Sequence, residues 1–138
     1  MKILFLCVEN SARSQMAEGI ARKIFGDAAD IQSAGSNPGK VHPLAIEIMK
    51  EQGIDISPQW SKSIDSINTI DIDWVITLCA EEVCPYLGGN VQKQHWPFPN
   101  PTNSVSSMEE QLKRFRDIRD QLTQKILEFE KTVHDRKE

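Results

Sequence analysis

Cys7, Arg13 and Ser14 carry the most chemistry in this chain. They belong to Cys7-Val8-Glu9-Asn10-Ser11-Ala12-Arg13-Ser14, a cysteine followed by five residues, an arginine and a serine. Between a strand and a helix, a loop of this length can curl around a tetrahedral oxyanion. Backbone N–H groups then point inward, and the N-terminus of the helix lies behind them. Val8, Glu9, Asn10, Ser11 and Ala12 are the expected binding residues of that loop, together with Arg13 and Ser14. The arginine adds a planar fork that holds two oxygens at once. A cysteine at the bottom of the loop sits in a positive field that favours thiolate over thiol. The same loop can therefore bind an anion and attack it.

Two further cysteines follow, Cys79 and Cys84. Cys79 comes directly after the apolar run Trp74-Val75-Ile76-Thr77-Leu78, as Cys7 comes after Ile3-Leu4-Phe5-Leu6. If the two runs are neighbouring parallel strands, about 4.8 Å apart, both thiols emerge at one sheet edge within reach of each other. Cys84 is five residues beyond Cys79. Across a helix, five residues turn about 500° and rise about 7.5 Å, so a Cys79–Cys84 bond requires the turn to unwind. Pro85, Gly88 and Gly89 leave this segment loosely tied. The layout allows a relay in which one thiol does chemistry, a second attacks it and a third takes the oxidation to the surface.

The elements that must position these groups alternate along the chain. Residues 2–6 read as a buried strand. Ser14 to Phe25 reads as a helix, with Met16, Ile20 and Ile24 on one face and Gly26 as its stop. Residues 31–34 form a short second strand closed by Gly35. Pro43 opens a helix with Leu44, Ile48 and Met49 inward, ended by Gly53. Residues 73–78 are a strong strand, and residues 94–96 a short fourth. A long helix is expected from about Ser106 to Val133, where Met108, Leu112, Phe115, Ile118, Leu122, Ile126 and Phe129 recur at three- and four-residue steps. This alternation predicts an α/β fold. Residues 1–138 form a single domain, a four-stranded parallel sheet with helices on both faces. Ligands of such sheets bind at the carboxyl ends of the strands, where Cys7 lies.

The bulk numbers narrow the function classes. A chain of 138 residues with 39% apolar and 26% charged residues fits one soluble domain. A net charge of −4 offers nothing to nucleic acid. No apolar run is long enough for a membrane span, and the N-terminus lacks the pattern of a signal peptide. An odd number of cysteines without an export signal argues against a disulfide framework. A cytoplasmic monomer is the expectation.

The motifs resemble the low-molecular-weight protein tyrosine phosphatase fold, and more closely the arsenate reductases built on it. Arg13-Ser14-Gln15-Met16-Ala17-Glu18-Gly19 is similar to the reductase form of the loop exit; phosphatases usually have proline where Gln15 stands. Ser33-Ala34-Gly35, Thr77-Leu78-Cys79, Cys84-Pro85 and His95-Trp96 also match the reductases. The resemblance implies a mechanism. Cys7 attacks arsenate held by the loop and Arg13, and Ser14 stabilises the thiolate. Cys79 attacks the adduct, releases arsenite and leaves a Cys7–Cys79 disulfide. Cys84 then forms a Cys79–Cys84 disulfide, which a thioredoxin- or glutaredoxin-like partner reduces. Phosphate and sulfate are the competing oxyanions.

Three departures accompany the resemblance. Many relatives have a second loop cysteine where this chain has Ala12. Some bind potassium with residues matching Asn10, Glu18 and Ser33 and an aspartate where Lys62 stands. The lysine ammonium can replace that ion, so no metal and no cofactor are expected. The family's general acid is an aspartate before a proline; here the pair is Asn100-Pro101, and an amide cannot donate a proton as a carboxylic acid does. Two other activities fit part of this pattern. A tyrosine phosphatase needs only Cys7, Arg13 and an acid, and leaves Cys79 and Cys84 without a role. An oxyanion or redox sensor without turnover draws its support from Asn100.

Overall fold

The computed structural model describes residues 1–79, 91–102 and 107–136. Their element order is β1 (Lys2–Cys7), α1 (Arg13–Phe25), β2 (Asp30–Gly35), α2 (Pro43–Lys50), β3 (Trp74–Cys79), β4 (Gln92–Phe98) and α3 (Met108–Arg136). The four strands form one parallel sheet in the order β2-β1-β3-β4. β1 is central and its last five residues are all buried, as a strand covered on both faces requires.

Strand alternation splits the core in two. Ile3 and Phe5 of β1, Trp74, Ile76 and Leu78 of β3, and Trp96 and Phe98 of β4 face one large cluster. All three α-helices contribute to it: α1 through Met16 and Ile20, α2 through Leu44 and Ile48, and α3 through Phe115, Ile118, Leu122, Ile126, Phe129 and Val133. Fully burying a side chain of this size contributes about 1.5–3 kcal/mol. The exposed Arg114–Glu110 pair on α3 contributes about 0.3–0.5 kcal/mol. The apolar row therefore fixes the long helix, and its charges solvate the outer side.

The opposite face, built on Leu4, Leu6, Ala34 and Val75, is covered differently. Among the described residues its cover is Ile64 and Ile67, at a short 3-10 turn, and Val91. The expected α-helices on both faces are thus found on one face only among these residues. The segment 80–90, expected to be loosely tied, lies outside the described residues. The other expected elements are present, with ends shifted by a few residues. The fourth strand is longer than expected because its Trp96 and Phe98 pack inward although Gln92 to His95 are polar.

Candidate active site

The loop from Val8 to Ala12 leaves β1 at the carboxyl edge of the sheet and enters α1 at Arg13. Each of its carbonyls is taken by a neighbouring donor. Val8 O accepts from Asn37 N at 2.9 Å, Glu9 O from Gly39 N at 3.0 Å, and Ser11 O from His42 N at 2.9 Å. Asn10 O accepts from Ser61 Oγ at 2.7 Å and Gln15 Nε2 at 3.0 Å. Ala12 O accepts from Met16 N, the first turn of α1. In a trans peptide the N–H points opposite to the C=O. Carbonyls drawn outward therefore turn the N–H groups of Glu9, Asn10, Ser11, Ala12 and Arg13 toward the interior of the loop. The α1 N-cap is Ala12, which offers no side-chain cap to the helix N-terminus. That end of the helix remains an anion site. Cys7, the last residue of β1, is at the floor of this cradle, 2% exposed and free.

Gly35 supports the floor. It pairs with Cys7 across β1 and β2, and the loop backbone lies directly on it. A Cβ at Gly35 would be 2.4 Å from Val8 O, 2.9 Å from Cys7 O and 3.0 Å from Asn10 N.

A buried polar network holds the loop from behind, with Asn10 at its centre. Asn10 has φ 51°, a left-handed conformation that asparagine tolerates better than most residues. Its Nδ2 donates to Ser14 Oγ at 2.7 Å and to Ser33 Oγ at 2.9 Å. Its Oδ1 accepts from Lys62 N at 2.9 Å and Gln15 Nε2 at 3.0 Å. Ser33 Oγ passes its proton on to Glu18 Oε1 at 2.6 Å. Glu18 is buried, and it meets Arg22 at 3.0 Å and the Lys62 ammonium at 3.6 Å. Gln59 fixes Gln15 through Nε2 contacts of 3.0 and 2.8 Å to its carbonyl and side-chain oxygens. The side chain of Asn10, expected among the binding residues, is thus engaged behind the loop, and its N–H faces the cradle.

Arg13 is 4% exposed, and its Nη1 donates to Phe98 O at 2.9 Å. This bond ties the loop to the end of β4, two residues before Asn100. Asn100 Oδ1 accepts from Thr102 N at 3.0 Å and Thr102 Oγ1 at 2.7 Å. The Asn100-Pro101 turn therefore has a defined shape and stands at the same sheet edge as Cys7.

Cys79 ends β3 at that edge, 2% exposed and disulfide-bonded. β3 is the neighbour of β1, as expected, but the two cysteines are not a cross-strand pair. The β1–β3 register runs to Leu6 with Thr77, and each cysteine ends its strand at the same edge of the sheet. Cys84 lies outside the described residues.

Several supporting residues escape a reading by motif: Gly35, His42, Gln59 and Ser61. Only Gly35, directly after a strand, leaves a sequence signal. His42 acts twice, giving its N–H to Ser11 O and accepting from Leu44 N at Nδ1, 3.1 Å away, as the cap of α2. Burial holds its pKa below the ordinary value, consistent with a ring nitrogen that accepts. Among the described residues, no group of three or more His, Cys, Asp or Glu could hold a metal ion. No helix among them is long and apolar enough to cross a membrane.

The comparisons with known proteins agree with this geometry. An arsenate reductase of Halalkalibacterium halodurans is 44% identical over 132 residues, covering 94% of this chain and 95% of that protein. The solved structure of an arsenate reductase in the phosphate binding state superposes with a TM-score of 0.72 at 34% identity, over 93% of this chain and 95% of the other. A thioredoxin-dependent arsenate reductase of Corynebacterium glutamicum superposes with a TM-score of 0.61 at 30% identity, over 91% of this chain and 61% of that one. The family model of the low molecular weight phosphotyrosine protein phosphatases matches residues 2–138. The chain belongs to that family, as a relative of its arsenate reductases.

Proposed function

We propose that the protein reduces arsenate to arsenite through Cys7, Cys79 and Cys84. Arsenate sits in the cradle of N–H groups from Glu9 to Arg13, with the Arg13 guanidinium on its oxygens. Cys7 sulfur attacks arsenic, an S–As bond forms, and one oxygen leaves as water. Ser14 oxygen is held by Asn10, so its own O–H is available to the sulfur before attack. Asn100, where an aspartate is expected, offers the departing oxygen a hydrogen bond but no proton.

Cys79 then attacks Cys7 sulfur. The S–S bond forms, the S–As bond breaks, and its electron pair reduces As(V) to As(III), released as arsenite. Cys84 attacks Cys79, freeing Cys7, and a thioredoxin- or glutaredoxin-like dithiol reduces the Cys79–Cys84 bond. The need for a reduced Cys7 fits the cytoplasm. Phosphate and sulfate compete for the cradle. The Lys62 ammonium beside Glu18 supplies the local positive charge, and no metal is required.

The observation that carries this reading is the placement of two cysteines at one sheet edge. Cys7 is free beneath an anion-shaped loop, and Cys79 is disulfide-bonded on the adjacent strand. A phosphatase has no use for the second. The test is arsenate-dependent consumption of reductant with a thioredoxin system, run beside hydrolysis of an aryl phosphate. Cys7→Ser abolishes both activities. Cys84→Ser permits one turnover and stops with Cys7 joined to Cys79. Hydrolysis of the aryl phosphate without arsenate-dependent reductant consumption would overturn the proposal.

A further inference from the structure

His42 joins the anion loop to the helical layer. One backbone segment, Asn37 to His42, supplies the donors to three carbonyls of the loop. Asn37 N donates to Val8 O at 2.9 Å, Gly39 N to Glu9 O at 3.0 Å and His42 N to Ser11 O at 2.9 Å. The segment is a strap over the back of the loop. Its near end leaves β2 at Gly35, whose N–H donates to Lys62 O at 2.9 Å. Ser36 to Lys40 are exposed, so the strap depends on its two ends. At the far end Val41 packs partly against the core, and His42 is the N-cap of α2.

The His42 ring is held from two directions. Its Nδ1 accepts from Leu44 N at 3.1 Å, and the ring lies 5.0 Å from the ring of Phe115 on α3, centroid to centroid. The cap works only while Nδ1 keeps its lone pair. A protonated imidazole donates at both nitrogens, so Nδ1–H would face Leu44 N–H. A positive charge would also stand at the positive end of the helix. Both effects push the ring off the helix end. Among the described residues, the charged groups on the elements around the ring are Lys40 and Glu47 on its own segment, Glu9 and Arg13 on the loop and its exit, and Glu110, Arg114 and Arg119 on α3. Arg114 is paired with Glu110 and Arg119 with Glu51. Burial favours the neutral ring. The contribution of the cap is therefore complete above the ordinary value of 6.5 and is lost as pH falls through the lower folded value.

We propose that the neutral ring of His42 anchors the strap against the loop, and that a proton on His42 releases the strap and weakens anion binding in the cradle. His42 is a positioning residue. It acts on the anion through the carbonyls of Val8, Glu9 and Ser11, whose outward pull turns the loop N–H groups inward. The inference rests on the loop as an anion cradle and not on arsenate reduction.

The test uses the full chain and inorganic sulfate, which is a dianion throughout the range where histidine titrates, about pH 5–8. Calorimetric titration gives the affinity at each pH. Loss of an N-cap changes an equilibrium by roughly 2- to 30-fold, and the parent weakens by that factor between the two ends of the range. His42→Asn, whose amide oxygen caps the helix without titrating, lacks this pH-dependent loss. His42→Ala has no cap, so its affinity is reduced already at the upper end.

A second arm follows the His42 imidazole by NMR, assigned through its absence in His42→Asn. Coupling between two sites is reciprocal, so saturating sulfate lowers the midpoint of His42 by about 0.3–1.5. Simple attraction between an anion and an imidazolium has the opposite sign and would raise it. A midpoint that rises or stays in place overturns the proposal. So does a pH dependence of sulfate affinity that is the same in His42→Asn as in the parent. A His42→Ala chain that unfolds in less urea but binds sulfate like the parent shows a merely structural cap, and also overturns it. Absence of sulfate binding by the parent at every pH refutes the cradle itself, and this inference with it.

Discussion

Replacing Gly35 by alanine tests whether backbone packing shapes the anion cradle. The obstacle is space alone, since Gly35 is not in a left-handed conformation and alanine can adopt its backbone. The added carbon would stand 2.4 Å from Val8 O, where real Cβ contacts essentially never fall under 3.0 Å. The carbonyl must therefore retreat by 3.0 − 2.4 = 0.6 Å. It is not free to do so, because Asn37 N holds it at 2.9 Å and β1–β2 pairing holds Cys7 against Gly35. Overpacking of this kind costs about 1–3 kcal/mol of stability. The same peptide carries the Glu9 N–H on its inner side, and Asn10 N is also in contact. Losing one hydrogen bond to a charged group costs about 1.5–3 kcal/mol, or roughly 10- to 100-fold in affinity. Titration of inorganic phosphate, read as protection of Cys7 from iodoacetamide, measures that loss, and urea unfolding measures the stability. Gly39→Ala is the control, because a Cβ there meets nothing within 4 Å. If Gly35→Ala binds phosphate like the parent and unfolds at the same urea concentration, the packing argument is refuted.

Asn10→Ala removes four hydrogen bonds, three of them buried, and the asparagine that suits a left-handed backbone; a loss of at least about 2 kcal/mol is expected from urea unfolding. Asn100→Asp keeps both acceptor contacts to Thr102 and adds a proton donor, so the first step accelerates, within the roughly 10²–10⁴-fold reach of a general acid. The gain is smaller on arsenate than on an aryl phosphate, because hydrogen arsenate brings its own proton; single-turnover rates on both substrates check this. Glu51, at the end of α2, is held at about 2 by hydrogen bonds from Arg116 and Arg119 of α3. Its folded pKa is depressed from 4.5, so its contribution is present above about pH 4.5 and fades as pH falls toward 2. Urea midpoints across that range should lose part of their slope in Glu51→Gln.

The local sequence determines most of the elements here and the chemical identity of the loop. Cys7, Arg13 and Ser14 are legible because anion binding by a short loop demands a fixed spacing, and spacing is a property of the chain itself. The rows of α1 and α3 are legible for the same reason, since a helix repeats its buried face every three or four residues. What the sequence does not contain is the partner of each group. The carbonyls of Val8 to Ser11 are drawn outward by Asn37, Gly39, His42 and Ser61, between 29 and 51 positions away, and no local pattern marks those residues as donors. The role of Gly35 follows only from the approach of another backbone. The parallel pairing of β1 with β3 decides that Cys7 and Cys79 end neighbouring strands at one edge, which no local pattern marks. Residue type and spacing set what chemistry the loop can do, because they are local; tertiary packing sets where each atom points, because it depends on residues far apart in the chain.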